Sequence, residues 1–188
     1  MRVISGKYRS RRLQSLPGTD LRPTADRLRE TLFDVLTAGN PSALEGTVWL
    51  DLYAGTGAVG IEALSRGART VYFVDVSSHA VDLIKKNLSS LREETGFQIV
   101  KQDALRAIRE LDASGVQANF TFLDPPYRLE EAYRQTLSVL SESRVAKTDG
   151  IVIAEHTRRF DPGAVFGSLR RYRKLEQGDA ALSFYRES

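Results

Sequence analysis

Four consecutive residues near the middle of the chain, Asp124, Pro125, Pro126 and Tyr127, could hold a planar amino group. The two prolines carry no backbone N–H, and Pro125 disfavours helical angles at Asp124, so this segment is expected to be extended and stiff. The Asp124 carboxylate and the nearby carbonyls accept hydrogen bonds, while Tyr127 adds a flat ring and a hydroxyl. Such a site suits an amine on an aromatic ring, although a strand that ends at two prolines and a turn explains the same residues.

A glycine-rich segment, residues 51–60, could bind an adenosine-type cofactor. Gly55, Gly57 and Gly60 match the dinucleotide-binding fingerprint, and Asp75 follows about 20 residues later, where an acidic residue binds ribose hydroxyls. Asp51 argues against a pyrophosphate, because a carboxylate at the end of the preceding strand repels a phosphate anion. A cofactor with an ammonium and a sulfonium fits better, and its carboxylate can still bind the amides of the turn. The sequence therefore predicts S-adenosylmethionine.

A third carboxylate, Asp103, is expected at the end of the third strand of this region. It can accept a hydrogen bond from an adenine amino group, and it can equally cap the helix that begins at Ala104; the two roles are compatible. The residues predicted to bind the cofactor are Asp51, Tyr53, Ala54, Gly55, Thr56, Gly57, Asp75, Val76, Asp103 and Ala104.

The elements that position these residues alternate between strands and helices from Thr47 onward. Strands are predicted at 48–52, 70–75, 97–102, 120–123 and 151–155, and helices at 57–66, 78–91, 104–111 and 129–140. Strands separated by helices form a mainly parallel sheet with helices on both faces. The tail, 169–175 and 181–186, predicts an antiparallel hairpin that completes seven strands. Glu155 is expected at the same sheet edge as Asp124, where a role near the target is open.

The segment before this alternation is expected to be a small basic β-hairpin arm followed by a helix. Two short strands are predicted at 2–5 and 11–15, and apolar residues at helical spacing predict a helix from Thr24 to about Thr37. The predicted division is an N-terminal extension, residues 1–45, and a cofactor-binding domain, residues 46–188. The chain of 188 residues is long enough for one such domain with a small appendage.

The positive charge of the chain is concentrated in the arm and the beginning of the helix that follows it. Residues 1–29 carry eight arginines and lysines against two aspartates, a net charge of +6, whereas the whole chain has +3. Clustered arginines are typical of contact with a phosphate backbone, although a solvated surface gives the same pattern. A second basic run, 170–174, is open to the same two interpretations. The residues predicted to contact RNA are Arg2, Lys7, Arg9, Arg11, Arg12, Arg22, Arg27 and Arg29.

Composition excludes several classes of protein. The chain has no cysteine, so disulfides, thiolate metal sites and a cysteine nucleophile are ruled out. No histidine pair lies at metal-ligand spacing, and no metal is expected. The sequence shows no secretory signal and no apolar run of membrane-spanning length, and we expect a cytoplasmic protein that does not bind membranes and works as a monomer.

The order of these motifs resembles the class I S-adenosylmethionine-dependent methyltransferases that act on exocyclic amino groups. The segments 22–33, 4–11 and 62–68 are similar to the RsmD family in particular, bacterial enzymes that methylate N2 of one guanine in 16S ribosomal RNA. The likeness runs nearly end to end, with small departures at Ser10, Asp34 and Asp75. It implies a Rossmann-like α/β fold, with 16S RNA or the assembling 30S subunit as partner.

The resemblance also implies a catalytic set: Asp124, Pro125, Pro126 and Tyr127. The Asp124 carboxylate and the Pro125 carbonyl would accept the two N–H bonds of the amine, Tyr127 would stack on the base, and Asp124 would take the departing proton. Two alternatives stay open. One is the same chemistry on DNA adenine N6 or a protein glutamine, and the other is a non-catalytic domain that binds RNA or a nucleotide.

Overall fold

The computed structural model describes residues 1–15, 23–126 and 128–188. Two residues of the predicted sites, Arg22 and Tyr127, therefore lie outside the described residues. Within the described part of the chain the helices are α1 Pro23–Thr37, α2 Ala58–Ser65, α3 Ser78–Ser90, α4 Ala104–Ala113 and α5 Glu130–Glu142. The strands are β1 Val48–Leu52, β2 Thr70–Asp75, β3 Phe97–Lys101, β4 Ala118–Leu123, β5 Ala146–Thr157, β6 Val165–Phe166, β7 Leu169–Gln177 and β8 Ala180–Glu187.

The strands form one mixed sheet in the order β3-β2-β1-β4-β5-β8-β7-β6. The first five strands are parallel, and β8, β7 and β6 add to the sheet by antiparallel pairing. The predicted α/β class, with its parallel sheet and C-terminal hairpin, is confirmed. The described sheet has one strand more than the seven predicted, because the two-residue β6 is too short to leave a pattern in the sequence. Strand β5 also begins at Ala146, earlier than predicted.

Helices cover both faces of the sheet, so the central strands are buried on both sides. One face packs against α1, α2, α3 and the N-terminal arm, and the other packs against α4 and α5. On the first face, the ring of Trp49 in β1 stacks between Phe33 of α1 and Phe120 of β4, with ring centroids 5.3 Å and 5.4 Å away. The predicted extension, residues 1–45, thus shares a hydrophobic core with the sheet.

The N-terminal arm, residues 1–15, folds back on itself as predicted, but with less strand than expected. Arg2 and Arg12 form an isolated antiparallel bridge, and the connection contains a 3-10 turn, Gly6–Tyr8. Val3, Tyr8 and Leu13 are buried in the same cluster as Phe33 and Trp49. The apolar side chains of the arm pack against this cluster, and its basic side chains are exposed to solvent.

Candidate active site

The turn between β1 and α2 is tight and lies at the edge of the sheet where β1 ends. Tyr53, Gly55 and Gly57 have positive φ angles of 62°, 54° and 74°. Glycine adopts such angles without strain, whereas a tyrosine does so rarely. The Tyr53 hydroxyl lies 2.8 Å from the hydroxyl oxygen of Thr136 in α5, a hydrogen bond that fixes the strained residue. A hydrogen bond from α5, which packs on the second face of the sheet, therefore helps to fix the predicted cofactor turn.

Asp51 lies beneath this turn and is 1% exposed. Its Oδ2 accepts a hydrogen bond from the Gly60 backbone N–H at 2.9 Å. Burial raises the pKa of Asp51 to about 8, against the smaller opposing effect of the Gly60 bond, and the Asp75 charge adds to the rise. A Cβ atom at Gly60 would lie 2.4 Å from Phe73 and 2.9 Å from the Asp51 carboxylate. Only glycine fits there, which is the close helix–strand packing that the third fingerprint glycine serves.

Asp75 ends β2 and organises the two turns beside it. Its Oδ2 accepts a hydrogen bond from the Gly55 backbone N–H at 2.9 Å, and its Oδ1 accepts one from the Ser77 N–H at 2.8 Å. Each carboxylate oxygen has a further lone pair that a ribose hydroxyl can use. The next residue, Val76, is 69% exposed, so an apolar surface adjoins the carboxylate.

Asp103 caps α4, as one of the two predicted roles requires. Its Oδ1 accepts hydrogen bonds from the backbone N–H groups of Leu105, at 3.0 Å, and Arg106, at 3.2 Å. Both bonds use the same oxygen, and the side chain is exposed at the sheet edge. The cap thus leaves Oδ2 able to accept from an amino group.

Asp124 follows β4 directly and lies between the end of β1 and residue Glu155 of β5, a strand that continues to Thr157. Leu123 is in register with Leu52 of β1 and Ala154 of β5, which places Asp124 beside Tyr53 on one side and Glu155 on the other. Loss of hydration raises the pKa of Asp124 well above its ordinary value, and the charges of Glu155 and Asp51 raise it further. A carboxyl with a raised pKa is a better proton acceptor than an ordinary aspartate.

Pro125 is buried, and its carbonyl oxygen accepts a hydrogen bond from the Tyr133 hydroxyl at 3.1 Å. Tyr133 is fully buried against Phe160, with ring centroids 5.2 Å apart, so the donor is held rigidly. Tyr133 and Thr136 lie one turn apart on the buried face of α5. One helix therefore contacts both the turn that carries Tyr53 and the loop that carries Pro125.

Neither Tyr133 nor Thr136 was predicted from the sequence as part of the site. The available signal is that two hydroxyl-bearing residues interrupt the apolar face of α5, which continues with Leu137 and Leu140. A buried hydroxyl requires a partner. The partners are 8 and 83 residues away, and no local pattern identifies them.

The arm is attached to α2 through a fully buried carboxylate, Glu62. Glu62 accepts hydrogen bonds from the backbone N–H groups of Ile4, at 2.8 Å, and Ser5, at 2.9 Å, and from Arg66 Nε at 2.8 Å. Close approach adds to this attachment, since a Cβ atom on Gly6 would lie 1.8 Å from the Ser65 carbonyl oxygen.

The predicted RNA-binding residues divide into two groups. Arg29 is 6% exposed; its guanidinium donates to the Arg2 carbonyl oxygen at 2.6 Å and to Asp26 at 3.0 Å. This burial is at odds with the phosphate contact predicted for Arg29, because its donors are turned inward onto the arm. The exposed members of the set are Arg2, Lys7, Arg9, Arg11, Arg12 and Arg27.

Two features are absent from the described residues. Among them no group of three or more His, Cys, Asp or Glu side chains could hold a metal ion. In the same part of the chain, no helix combines the length and the apolar character needed to cross a membrane.

Comparison with known proteins extends this picture. A family model described as "Conserved hypothetical protein 95" matches residues 1–186. The chain is similar to YlbH of Bacillus subtilis strain 168, with 35% identity over 187 residues that cover 100% of this chain and 99% of YlbH. It is also 33% identical to the ribosomal RNA small subunit methyltransferase D of Haemophilus influenzae, over 82% of this chain and 78% of that protein. The solved structure of yhhF from Escherichia coli superimposes with a TM-score of 0.84 at 26% identity, covering 100% of this chain and 98% of that one.

Proposed function

The chain belongs to the family described as conserved hypothetical protein 95, and we propose that it transfers a methyl group from S-adenosylmethionine to the N2 amine of a guanine in 16S ribosomal RNA. The observation that carries the proposal is the register of β4 against β1, which sets Asp124 beside Tyr53 of the glycine turn. A methyl donor held by that turn and an amine held at Asp124 would meet at the same sheet edge. The related Haemophilus protein is named as a small-subunit rRNA methyltransferase, and this supports the substrate class.

The residues present fit S-adenosylmethionine. In the turn 53–57 the N–H groups of Ala54, Gly55 and Gly57 already donate to Val74, Asp75 and Ala54, so the Thr56 N–H would be the donor for its carboxylate. The Asp75 carboxylate lies where the ribose hydroxyls are expected, and Asp103 retains an oxygen for the adenine amino group. Val76 supplies an apolar surface beside the ribose position. When bound, the cofactor supplies a sulfonium methyl group, which is electrophilic and has a good leaving group.

The loop after β4, residues 124–126, would orient the amine and is called the acceptor loop. The guanine amino group is a weak nucleophile because its lone pair is delocalised into the ring. Hydrogen bonds to the Asp124 carboxylate and the Pro125 carbonyl leave the lone pair pointing along the third direction, toward the methyl group. Tyr133 already donates to the Pro125 carbonyl, but a carbonyl oxygen has two lone pairs and can accept a second bond.

The charges balance over the transfer. In the transfer the amine nitrogen would use its lone pair to form a bond to the methyl carbon, and the electron pair of the carbon–sulfur bond would stay on the cofactor's sulfur as a neutral thioether. The nitrogen would then carry a positive charge and both of its original protons, and Asp124 would accept one of these protons directly or through water. The raised pKa of Asp124 suits this step, as does the nearby negative charge of Glu155, which stabilises the developing cation.

The RNA would approach across the N-terminal arm. Five exposed basic residues lie on the described arm, residues 1–15, which Glu62 fixes to α2, and α2 begins directly after the cofactor turn. Arg27 is exposed on α1. Phosphate contacts there would position the strand rather than read its sequence. The target base must be unpaired or extruded to reach Asp124, because its amine is otherwise inside the stack. Roles for Arg22 and for stacking by Tyr127 remain part of the proposal.

The test is methyl transfer from labelled S-adenosylmethionine to unmethylated 16S RNA, to partly assembled 30S particles and to DNA, with nucleoside analysis of the products. We expect label in N2-methylguanosine of RNA, and no label with Asp124→Ala. Asp149→Ala is the matched control, since it removes an exposed carboxylate far from the sheet edge. Label in adenine, in DNA or in a protein would reject the guanine assignment. Cofactor binding without transfer to any substrate would reject catalysis.

A further inference from the structure

The C-terminal hairpin carries a cluster that the proposed methyl-transfer site does not use. We define it as Arg170 and Tyr172 of β7 together with Arg186 of β8. Within the basic run of β7, Arg171 forms two hydrogen bonds to Asp161, at 2.7 Å and 3.1 Å, and Lys174 pairs with Glu176 at 3.1 Å. Those two cations are neutralised locally, whereas the cluster holds two arginines side by side.

Arg170 and Arg186 are directly opposite each other in the antiparallel β7–β8 pair. Side chains in such pairs lie on the same face, and two like charges at these positions destabilise the pairing. The contact that the structure gives the Arg170 guanidinium is a hydrogen bond to the Gly167 carbonyl oxygen at 3.1 Å. The repulsion between the two guanidiniums destabilises the hairpin itself. An anion bound between them would make the net electrostatic interaction attractive.

Tyr172 is presented by a β-bulge. The register passes from Arg171 opposite Tyr185 to Arg173 opposite Phe184, so Tyr172 is the extra residue of the bulge. Bulges commonly re-aim a side chain. Its ring is 47% exposed, and the Arg186 guanidinium lies over it at 4.6 Å from the centroid. A flat ring is therefore held at the surface beside an ordered guanidinium.

Protection of a sheet edge explains only part of this cluster. Charged side chains on edge strands prevent pairing with other molecules, and β7 is an edge strand beyond its short pairing with β6. This accounts for basic residues on β7. It does not account for an exposed aromatic ring on a bulge, nor for Arg186, because β8 lies between β5 and β7 and is not an edge.

We propose that this cluster binds single-stranded RNA, with a phosphate between Arg170 and Arg186 and a base stacked on Tyr172. Stacking on aromatic rings beside arginines is how proteins hold single strands without reading their sequence. The proposal rests on the proposed function for its substrate. Strand β7 lies three positions from β4 in the sheet, roughly 14 Å at the usual strand spacing. The register puts Arg186 four residues along β8 from Leu182, which is level with Glu155 and Asp124, a further shift of roughly 13 Å along the strands. Nucleotides a few positions from a guanine at Asp124 can therefore reach the cluster, about 20 Å away.

The first test measures binding of a fluorescein-labelled oligouridine of about twelve nucleotides by fluorescence anisotropy over a range of salt concentrations. Tyr172→Ala should weaken binding by roughly five- to hundredfold, whereas Tyr172→Phe, which keeps the ring, should bind as the wild type does. Arg170→Ala and Arg186→Ala should each weaken binding, and the double variant should lower the salt dependence by about one phosphate contact, because the two arginines share one phosphate. Arg109→Ala, an exposed arginine of α4 on the other face of the sheet, is the matched control and should change neither quantity appreciably.

The second test is photo-crosslinking of oligouridine containing 4-thiouridine, with mass spectrometry of the joined peptide. We expect the crosslinked peptide to contain Tyr172. Melting temperatures of all variants should lie within about 4 °C of the wild-type value, because the changed side chains are exposed and the contacts among them contribute about 1 kcal/mol or less. If the wild type methylates 16S RNA while Tyr172→Ala and Arg186→Ala bind oligouridine as tightly as the wild type, the cluster is rejected and the proposed function stands. If the wild type neither binds oligouridine nor methylates RNA, both fail.

Discussion

The hydroxyl of Tyr133 donates a hydrogen bond to the carbonyl oxygen of Pro125 over 3.1 Å, from the buried face of α5 to the loop that follows β4. One turn further along α5, Thr136 makes the hydrogen bond to Tyr53 of the cofactor turn. The same helix thus fixes two segments that, in the proposed reaction, hold the methyl acceptor and the methyl donor. Their separation is set by helix geometry rather than by either loop.

We expect Tyr133→Phe to lower kcat by about two- to tenfold, because it deletes the hydrogen bond to the buried Pro125 carbonyl and leaves the ring in place. The KM for S-adenosylmethionine should stay close to the wild-type value. Steady-state kinetics with 16S RNA would check this. Thr136→Val is the comparison variant. It removes the hydrogen bond to Tyr53 of the cofactor turn and should raise the KM for the cofactor. Equal effects of both variants on both constants would mean that α5 contributes stability alone.

The pH dependence of methyl transfer should report Asp124. Its raised pKa means that the carboxyl is protonated at pH values where an ordinary aspartate is ionised. Because the ionised form accepts the N–H bonds and the proton, kcat/KM should rise with pH through this elevated pKa. Asp124→Asn should lower the rate by about 10²- to 10³-fold and remove that rise.

Glu155→Gln supplies the control for this assignment. Glu155 raises the pKa of Asp124 by repulsion, so its neutralisation should move the rise in kcat/KM to lower pH. A profile that keeps its midpoint in Glu155→Gln would assign the rise to another group.

Stability should depend on pH through Asp51. The pKa of this carboxyl is about 8 in the folded protein and near 3.9 in an unfolded chain, so between these values the folded state holds a proton that the unfolded state has lost. The contribution of neutral Asp51 is complete below about pH 4 and is lost as pH rises toward 8, at no more than about 1.4 kcal/mol per pH unit. Asp51→Asn keeps a neutral acceptor for Gly60 and should lose stability less steeply. Urea denaturation of both proteins from pH 5 to 8 would test this, and parallel curves would contradict it.

Gly6→Ala should separate the arm from the rest of the protein. The new Cβ would lie 1.8 Å from the Ser65 carbonyl oxygen, and Gly6 has a φ of 80° that alanine rarely adopts. The arm should then detach from α2, which limited proteolysis within residues 1–15 would detect. We expect RNA affinity to fall while cofactor affinity, measured by calorimetry, stays near the wild-type value. Gly39→Ala, at the same φ but with nothing near its Cβ, controls for backbone strain.

The sequence carried enough information to place Asp51, Asp75, Asp103 and Asp124, because each lies at or just after the end of a recognisable strand, and the ends of parallel strands share an edge. Their position in the structure depends only on local pattern and topology. The same reasoning was insufficient for Arg29, which sits in a basic segment but points inward. Its burial depends on Glu62 and on the Arg2 carbonyl, contacts between elements that composition does not reveal.

The same limit applies to Asn87, which is fully buried in α3. Its side-chain amide donates to the Thr56 carbonyl oxygen of the cofactor turn, at 2.9 Å, and to the Gln14 carbonyl oxygen of the arm, at 3.2 Å, and it accepts from the Gln14 N–H at 2.8 Å. An asparagine in an amphipathic helix is unremarkable in the sequence. Its three bonds connect α3 to residues that lie 31 and 73 positions away from Asn87 in the sequence.

The central place of β4 has a consequence for how the protein is made. Strand β4 lies between β1 and β5, so Asp124 acquires its surroundings only when residues near 52 and 154 flank it. During synthesis the glycine turn and the acceptor loop leave the ribosome well before β5 does, and β5 in turn pairs with β8 at the far end of the chain. Such long-range pairing makes folding slow and late. A growing chain therefore contains the glycine turn and the acceptor loop before β5 is available to complete the site.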